Sequence, residues 1–421
     1  MAAAFLDIND CNLRLWHGDR QVQSPGYALL EGRDYRFGQE ARGAARLQPR
    51  KVNTRYWWQL STEALQPALG PARHTADLVH AHLLQLHRQA GEPEELQLAV
   101  SAGMSREQLS LLLGIAQQCP FDAVSLVNRS ALLASLYGGG GRLFHLEIQL
   151  HQALVCELAP IGRDVASQRT IPLPGCGLLQ MQEQLVETLA SNFIQQTRFD
   201  PRRKAVTEQQ LYDALPGALQ ALTQAAETNL EINGYRARVS RDDLGNASAR
   251  LHDAAAQAIG GLEARDRIIA EPLAALLPGI GKRFEQLDIC AEDATWRAAR
   301  EHGESLMSRG QALSFVSVLP CLPSGSAAPI EPAVIDPPAP VTEPTHLLNG
   351  FSASPLDRAG TTVEQGLELV HSDDGWQLRA DRDVSVNNAS YASGQMLQAG
   401  DVLRTDSGTE VTLIEVRPNG G

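Results

Sequence analysis

Two stretches of the same design limit what this chain can fold into. Residues 4–16 alternate apolar side chains along two predicted strands that a short polar turn connects. Residues 142–158 repeat the pattern, with Glu147 at the position that Asp7 holds in the first stretch. We therefore expect two β-hairpins, each with one acidic side chain among buried apolar ones, and each opening one half of a larger domain.

The size and charge of the chain narrow the classes of protein it can belong to. Its 421 residues predict two to three domains at roughly 150 residues each, and a hydrophobic content of 43% is enough for packed cores. The net charge of -13 argues against nucleic acid or an anionic membrane as a main partner, because binding to phosphate groups needs a basic surface.

Cysteine usage and hydropathy indicate the compartment. The six cysteines are scattered and form no Cys-x-x-Cys pair, which is typical neither of a disulfide framework nor of a zinc site. The first residues lack the basic and apolar regions of a signal peptide, and no apolar run approaches the ~20 residues that span a bilayer. We expect a cytoplasmic chain without membrane insertion.

The rest of the chain alternates strand and helix patterns before its composition changes. Predicted helices include residues 105–116, 207–229 and 242–262, and the last predicted strand of this part covers residues 313–319. From residue 323 the chain becomes a proline-rich linker, which we expect to be extended and without a packed core. From residue 346 only short strand patterns follow, which predicts a small β-sandwich.

Five stretches, in this order, resemble the nucleotide-binding domain of the heat-shock protein 70 (DnaK-type) family. Residues 7–12, Asp-Ile-Asn-Asp-Cys-Asn, stand where the family has Asp-Leu-Gly-Thr-Thr-Asn, and residues 37–42 resemble its Val-Gly-Gln-x-Ala-Lys. Residues 98–108 resemble the stretch around its Thr-Val-Pro-Ala. Residues 127–138 are close to Ile-Asn-Glu-Pro-Thr-Ala-Ala-Ala-Leu-Ala-Tyr-Gly, and residues 277–284 resemble its adenosine helix.

The resemblance implies an α/β fold of the actin-like ATPase type, which is two-lobed and ribonuclease H-like. Lobe I would cover residues 1–142 and lobe II residues 143–322. The linker would cover residues 323–345, and the small all-β sandwich residues 346–421. In the family the two lobes bind ATP or ADP with magnesium between them, so the resemblance also implies where a nucleotide would lie.

The sequence departs from the family at each phosphate-binding loop. Such loops use glycine because a Cβ would keep the backbone N–H away from a phosphate oxygen. Here Asn9 replaces the glycine of the first loop, and residues 147–152, Glu-Ile-Gln-Leu-His-Gln, replace Asp-x-Gly-Gly-Gly-Thr. The glycine pair on the adenosine side becomes residues 271–273, Glu-Pro-Leu. We therefore expect weak or absent binding of nucleotide phosphates.

Two further departures affect catalysis. Trp57 or Trp58 stands where the family has its catalytic lysine, and Arg129 replaces the glutamate before Pro-Thr. An aromatic side chain does not stabilise the charge that develops on a γ-phosphate. We predict no catalytic residue, no required cofactor and no efficient ATP hydrolysis.

Some polar residues keep positions that the family uses for phosphate and magnesium. Asp7 and Glu147 are candidate ligands of magnesium-bound water, although Asp7 is equally explained as an acid that caps its turn, and Glu147 as a polar position of a half-exposed strand. The candidate cofactor-binding residues by this resemblance are Asp7, Asn9, Asp10, Asn12, Glu147 and Gln149.

The last part of the chain resembles the C-terminal half of a forkhead-associated (FHA) domain. The resemblance rests on Val-Asn-Asn at residues 386–388 and on Leu-x-x-Gly-Asp-x-Leu at residues 397–403. The family binds phosphothreonine peptides through an arginine, a Ser-x-x-His stretch and an asparagine. This chain has residues 363–371 in place of Ser-x-x-His, so Asn387 is the one candidate peptide-binding residue.

These observations predict a heat-shock-70-like pseudo-ATPase that acts as a protein-binding, scaffold or chaperone-like module. One alternative is an ATP-binding, chaperone-like switch with atypical phosphate loops. A second alternative is an actin-like assembly protein. In each case the expected partners are one or more proteins and not nucleic acid.

Overall fold

The computed structural model describes residues 3–137, 141–310, 312–322, 344–349, 352–364, 366–372, 375–381, 384–387, 389–391, 395–405 and 409–415. The chain divides into two compact units, Met1–Ile330 and Glu331–Gly421. The division falls within the predicted linker, of which residues 323–343 lie outside the described residues.

The first unit begins with a strand-rich segment that contains four helices. Its strands are β1 (Ala4–Ile8), β2 (Leu13–His17), β3 (Arg20–Ser24), β4 (Ala28–Glu31), β5 (Asp34–Phe37), β6 (Val52–Asn53), β7 (Glu95–Val100) and β8 (Asp122–Asn128). Its helices are α1 (Gln39–Gly43), α2 (Thr75–Gln89), α3 (Arg106–Ala116) and α4 (Arg129–Ala134).

The remainder of the first unit repeats the alternation of strands and helices. Its strands are β9 (Leu143–Ile148), β10 (Gln152–Ile161), β11 (Asp164–Pro174), β12 (Glu227–Ile232), β13 (Tyr235–Ser240), β14 (Arg267–Ala270), β15 (Leu287–Ile289), β16 (Phe315–Val316) and β17 (Val318–Pro320). Its helices are α5 (Leu178–Thr197), α6 (Ala205–Gln224), α7 (Ala249–Ile259), α8 (Pro272–Ala275), α9 (Ile280–Arg283) and α10 (Ala294–His302).

Two six-stranded mixed sheets with the same central order form the framework of this unit. The first runs β16-β8-β7-β1-β2-β3, and the second runs β15-β14-β9-β10-β11-β17. In each, an antiparallel three-stranded meander is followed by parallel strands beside its first strand. Both predicted hairpins are therefore confirmed. We call the first sheet with α1–α4 lobe I, and the second sheet with α5–α9 lobe II.

Apolar side chains explain why β1 and β9 lie at the centre of their sheets. All five residues of β1 and all six of β9 are buried, as expected of strands that are covered on both faces. Helices α2 and α3 cover one face of the first sheet, and α3 begins at a capping box between Ser105 and Gln108. The predicted helix of residues 105–116 is confirmed.

The chain returns to lobe I after it has built lobe II. Helix α10 packs on β1 and α4, and its buried alanines share a core with residues of both sheets. The predicted strand of residues 313–319 is wrong in one respect, because two short strands replace it. Strand β16 pairs in parallel with β8 of lobe I, and β17 pairs antiparallel with β11 of lobe II. One continuous segment thus extends both sheets.

Two helix predictions were too long. The helix predicted over residues 207–229 ends at Gln224, because the following residues pair with β13 across a turn at Asn233–Gly234. The helix predicted over residues 242–262 is reduced to α7, since residues 241–248 form successive turns. In the first case hairpin pairing overrides helix propensity.

The second unit is built from strands in its described residues. These are β18 (His346–Asn349), β19 (Ser352–Pro355), β20 (Thr361–Glu364), β21 (Leu367–Ser372), β22 (Gly375–Ala380), β23 (Val384–Val386), β24 (Ala389–Ser390), β25 (Val402–Thr405) and β26 (Glu410–Ile414). A six-stranded and a three-stranded antiparallel sheet share one apolar core that includes Leu369, Trp376 and Leu413. The predicted all-β unit is confirmed at this level.

Strand β17 offers a matched pair of substitutions. Leu319 is buried in the core between the lobes, whereas the neighbouring Val318 is 47% exposed. We expect Leu319→Ala to lower the free energy of unfolding by about 2–4 kcal/mol through lost burial and a cavity. Val318→Ala should change it by less than about 0.5 kcal/mol. Urea unfolding measures both, and equal effects would show that β17 is not packed as described.

Candidate functional site

Three acidic side chains from both lobes meet at one arginine. Asp7 lies near the end of β1, and Glu147 occupies the corresponding place on β9. Glu271 directly follows β14, and Arg129 is the first residue of α4, directly after β8. Because β1, β8, β9 and β14 end at the interface of the lobes, the last residues of β1 and β9 and the first residues after β8 and β14 bring these four side chains together. We call them the Arg129 cluster.

The guanidinium of Arg129 makes directed contacts to two carboxylates. Its Nε and Nη2 donate to the two oxygens of Asp7 at 2.8 and 3.0 Å. Its Nη2 and Nη1 donate to the two oxygens of Glu271 at 2.6 and 3.2 Å. Such bidentate pairs are among the strongest hydrogen bonds in proteins. One side chain of lobe I therefore binds a carboxylate of each lobe.

The third carboxylate lies slightly further from the guanidinium. Glu147 Oε2 is 3.6 Å from Arg129 Nη1, beyond hydrogen-bond distance, and this oxygen has no hydrogen-bond partner. The other oxygen of Glu147 accepts from Gln149 Nε2 at 2.8 Å. Thr295 Oγ1, on α10, donates to Asp7 Oδ2 at 2.9 Å. The cluster is thus charged, polar and closely surrounded.

Burial makes the charges of this cluster strongly interdependent. Arg129 is fully buried, and Asp7 and Glu147 are almost so. Burial alone would lower the pKa of Arg129, but Asp7, Glu271 and Glu147 outweigh it and hold the pKa well above its ordinary value. Burial would likewise raise the pKa of Glu271, yet the charge and hydrogen bonds of Arg129 lower it to about 2. Each partner of the Arg129–Glu271 ion pair therefore favours the charged form of the other.

The pKa of Glu147 moves in the opposite direction. Burial raises it above its ordinary value, and Arg129 offsets only part of this effect. This difference follows from geometry, since the guanidinium donates hydrogen bonds to Glu271 and not to Glu147.

The first candidate phosphate loop binds the other lobe directly. Asn9 Nδ2 donates to the carbonyl of Ile148 at 3.1 Å and to Glu271 Oε2 at 3.2 Å. Asp10 Oδ1 accepts from the backbone N–H of Leu150 at 2.8 Å. Both contacts cross from lobe I to lobe II. The side chain of Asn12 stays within lobe I, where its Nδ2 donates to Gln23 at 2.9 Å.

The second candidate loop is held in the same way. Gln149 Nε2 donates to Ser101 Oγ of lobe I at 2.8 Å as well as to Glu147. The candidate residues Asp7, Asn9, Asp10, Glu147 and Gln149 therefore come together at the interface of the lobes, and Asn12 lies at its edge. Asn9 and Asp10 join the two loops directly, while Asp7 and Gln149 bond to other residues around the interface.

The two tryptophans at the family's lysine position have different surroundings. Trp57 is buried in lobe I and its Nε1 donates to His82 at 3.2 Å. Trp58 stacks on His151 of lobe II, with ring centroids 5.2 Å apart, and His151 in turn contacts Thr54. Trp58 therefore adds an aromatic contact between the lobes.

A second arginine connects the lobes at the outer edge of the interface. The guanidinium of Arg46 lies 3.8 Å from the ring centroid of Tyr212 and forms an ion pair with Glu183. The backbone N–H of Arg46 donates to Gln209 at 2.8 Å. Arg46 belongs to lobe I, while the other three residues lie on α5 and α6 of lobe II. The lobes are thus joined at the centre and at the edge.

A cavity of about 320 Å³ remains beside the cluster. Its lining includes Asp7, Glu271, Tyr27, Arg42 and Gln220. Cys11 also lines it, but burial raises the pKa of its thiol well above the ordinary value, so the thiol is a poor nucleophile. Within the described residues no three His, Cys, Asp or Glu side chains are arranged to hold a metal ion.

The candidate peptide-binding residue of the second unit is engaged in its own fold. Asn387 has a positive φ of 51° and closes the turn after β23. Its Nδ2 donates to Asp401 Oδ1 at 2.7 Å, and its Oδ1 accepts from Val402 N–H at 3.0 Å. Both polar groups of the amide therefore stabilise the connection between β23 and β25.

Sequence reasoning missed the partnership of Arg129 with Glu271. Both residues were noticed only as departures from a family pattern. Each residue directly follows a buried strand, β8 or β14, but these strands belong to different sheets, so the sequence offers no signal that pairs them.

No protein family model matches the chain, and no curated protein matches it either. In the described residues no helix is both long and apolar enough to cross a membrane.

The interface between the lobes predicts a dependence of stability on pH. Burial, with a smaller contribution from the charge of Glu147, raises the pKa of Asp10 from 3.8 to about 7, although the hydrogen bond from Leu150 opposes this. The folded chain therefore keeps a proton that the unfolded chain releases near pH 3.8. Because the folded state binds more protons in this window, Asp10 lowers the free energy of unfolding as pH rises from about 4 to about 7, by up to about 1.4 kcal/mol per unit.

Asp10→Asn tests this dependence. The amide oxygen still accepts from Leu150 N–H but cannot ionise, so we expect the variant to gain stability relative to the parent chain as pH rises through this window. Urea unfolding at several pH values between 4 and 8 measures the difference. Asp19→Asn, in an exposed turn, is the control. A difference that does not change with pH would contradict the prediction.

Proposed function

We propose that this chain is a pseudo-ATPase of the actin-like, ribonuclease H-like fold that acts as a protein-binding or scaffold module. The repeated sheet order supports the fold, since both lobes combine an antiparallel meander with parallel strands. The matching positions of Asp7 on β1 and Glu147 on β9 support the same proposal.

One observation carries the loss of activity: the Arg129 guanidinium fills the space between the two acids that the family resemblance assigns to magnesium. Asp7 pairs with Arg129 through both of its oxygens, and Glu147 faces the same guanidinium. The residues therefore do not fit a nucleotide-bound magnesium ion, because a fixed positive charge already lies there. A second cation at this point would meet electrostatic repulsion at short range.

The phosphate loops support the same conclusion. Asn9, Asp10 and Gln149 make hydrogen bonds between the lobes where the family leaves backbone N–H groups for phosphates. On the adenosine side Pro272 opens α8 and has no N–H to donate. A nucleotide would have to break these contacts before it could bind.

The contacts between the lobes suit a constant binding surface better than a switch. The Arg129 cluster, the two loops, Trp58 and Arg46 each connect the lobes through side chains of the chain itself. A second unit on a proline-rich linker would add a further contact surface and raise the effective concentration at a shared partner.

One observation favours the alternative of an ATP-binding, chaperone-like switch. The cavity of about 320 Å³ beside Asp7 and Glu271 has a mixed polar and apolar lining, as small-molecule sites do. Nucleotide titration therefore decides between the two functions.

We expect Mg-ATP and Mg-ADP at millimolar concentration to leave the melting temperature of the full chain unchanged within about 1 °C. A ligand specific for the folded state would add about 2.7 kcal/mol of stability at a hundredfold excess over its dissociation constant. Thermal shift with calorimetric titration measures this. A clear, magnesium-dependent rise in melting temperature would overturn the pseudo-ATPase and favour the switch.

The role of Arg129 as a built-in cation can be tested by its removal. Arg129→Ala leaves buried carboxylates uncompensated, so we expect the free energy of unfolding to fall by about 3–5 kcal/mol. Added Mg²⁺ should restore part of this loss in the variant and have no effect on the parent chain, because a hydrated divalent ion can neutralise the same acids.

Arg142→Ala is the matched control for this experiment. Arg142 also forms an ion pair with a buried carboxylate, that of Asp266, at 2.6 Å, but it does not join carboxylates of both lobes. We expect its loss to destabilise the chain without any response to Mg²⁺. Equal responses of the two variants would contradict the assignment of the Arg129 cluster as a filled cation site.

A further inference from the structure

We propose that the turn between α5 and α6 is a docking surface for an acidic segment of a partner protein that also carries apolar side chains. The inference rests on the proposed function, which gives the chain a protein partner, and adds where that partner binds and by what chemistry. We call this region the α5–α6 surface; its members are Arg198, Arg202, Arg203, Lys204, Val206 and Tyr235.

Among the described residues, half of the exposed large apolar side chains lie on the elements next to this turn, α5, α6 and β13. In the described part of the chain six large apolar side chains are exposed, and three of them are Ile194, Val206 and Tyr235. Val206 is 59% exposed and Tyr235 is 43% exposed. Exposed apolar groups that cluster mark interaction sites more often than scattered ones do.

Contacts with the neighbouring hairpin hold this turn in a fixed shape. Tyr235, the first residue of β13, stacks on Phe199 with ring centroids 4.4 Å apart. Gln196 exchanges two hydrogen bonds with the backbone of Arg238, at 2.8 and 2.9 Å. The surface is therefore preorganised, which lowers the entropic cost of binding.

The turn is basic although the chain as a whole is acidic. Residues 198–204 contain four cations and one acid, a net charge of +3, in a chain whose net charge is -13. The one acid, Asp200, accepts from the backbone N–H of Arg202 at 3.0 Å and lies 3.8 Å from the side chains of Arg202 and Arg203. Arg203 is exposed, so most of this positive charge faces solvent.

The cations stand at positions where they oppose local stability. Arg198 caps α5 with a left-handed φ of 61°, where glycine is usually found. Lys204 is the N-cap of the 20-residue helix α6 and makes no side-chain capping bond, although serine, threonine or aspartate would. Cations at the N-terminus also oppose the helix dipole. Local choices that cost stability in this way are expected at functional sites.

The charge and the apolar groups together define the occupant. The four cations and the positive end of α6 attract carboxylates, while Tyr235 and Val206 offer contact area to an aliphatic or aromatic side chain. Nucleic acid is disfavoured, because three net positive charges neutralise few phosphates and the rest of the chain is negative. An acidic peptide segment with apolar anchors satisfies both features.

The test compares two triple variants of the full chain that carry the same net charge. The first is Arg202→Glu/Arg203→Glu/Lys204→Glu. The control is Arg33→Glu/Arg106→Glu/Lys282→Glu, at three exposed cations elsewhere in the first unit. The probe is a short fluorescent peptide of alternating acidic residues with leucine and tryptophan, and two further peptides replace either the acids by lysine or the apolar residues by serine.

We expect the parent chain to bind the first peptide more tightly than the other two. The α5–α6 variant should lose about tenfold or more in affinity, and the control variant should stay within about twofold. The α5–α6 variant should also melt at the same or a higher temperature, because acids at the start of α6 favour the helix dipole. A loss of peptide affinity without a fall in melting temperature identifies a surface that serves binding and not stability. Tyr235→Ser, which leaves the charges intact, should weaken binding as well.

Three results would overturn the inference. Equal losses in both triple variants would mean that only net charge matters. Equal or tighter binding of a single-stranded oligonucleotide would identify a different class of partner. Peptide binding that appears only after residues 323–343 are replaced by glycine and serine would assign the surface to this chain's own linker. A stabilising effect of Mg-ATP on the parent chain would defeat the proposed function separately, whatever the peptides show.

Discussion

A single buried guanidinium determines how the two lobes meet. Removing Arg129, Asp7 and Glu147 from water costs several kcal/mol for each charge, and only mutual pairing offsets this cost. Because the guanidinium belongs to lobe I and Glu271 to lobe II, the pairing is complete only when the lobes are closed. The desolvation penalty thus becomes a penalty on separating the lobes.

The contacts around the Arg129 cluster also join the two lobes through side chains. A loop that binds a phosphate must keep its backbone N–H groups free, whereas a loop that fastens two lobes needs side chains long enough to cross between them. Asn9, Asp10 and Gln149 provide such side chains at the positions of glycines or small residues. Arg46 adds a contact between the lobes at the outer edge of their interface, where its guanidinium stacks on Tyr212. The departures from the family pattern are therefore mutually consistent.

The sequence predicts the strands and helices that have strong local signals. It does not predict the contacts between residues far apart in the chain. Alternation of apolar side chains located β1 and β9, and the predicted start of a helix at residue 105 is within one residue of the start of α3. Sequence reasoning missed the end of α6, where pairing with β13 overrides helix propensity. It could not pair Arg129 with Glu271, since a contact across 142 positions leaves no periodic trace in one sequence. Asp7 proved to be an ion-pair partner within the interface and not simply a cap of its turn.

The short segment at the end of the first unit has a mechanical consequence. Strand β16 adds to the sheet of lobe I and β17 to that of lobe II, and the next two residues alternate again: Cys321 donates to Arg163 of lobe II and Leu322 to Ser135 of lobe I. A pull on the chain beyond residue 322 would therefore meet backbone hydrogen bonds to one lobe and then to the other, in turn from the end of the segment. The last strands of the first unit would stay attached to one lobe when their bonds to the other lobe break.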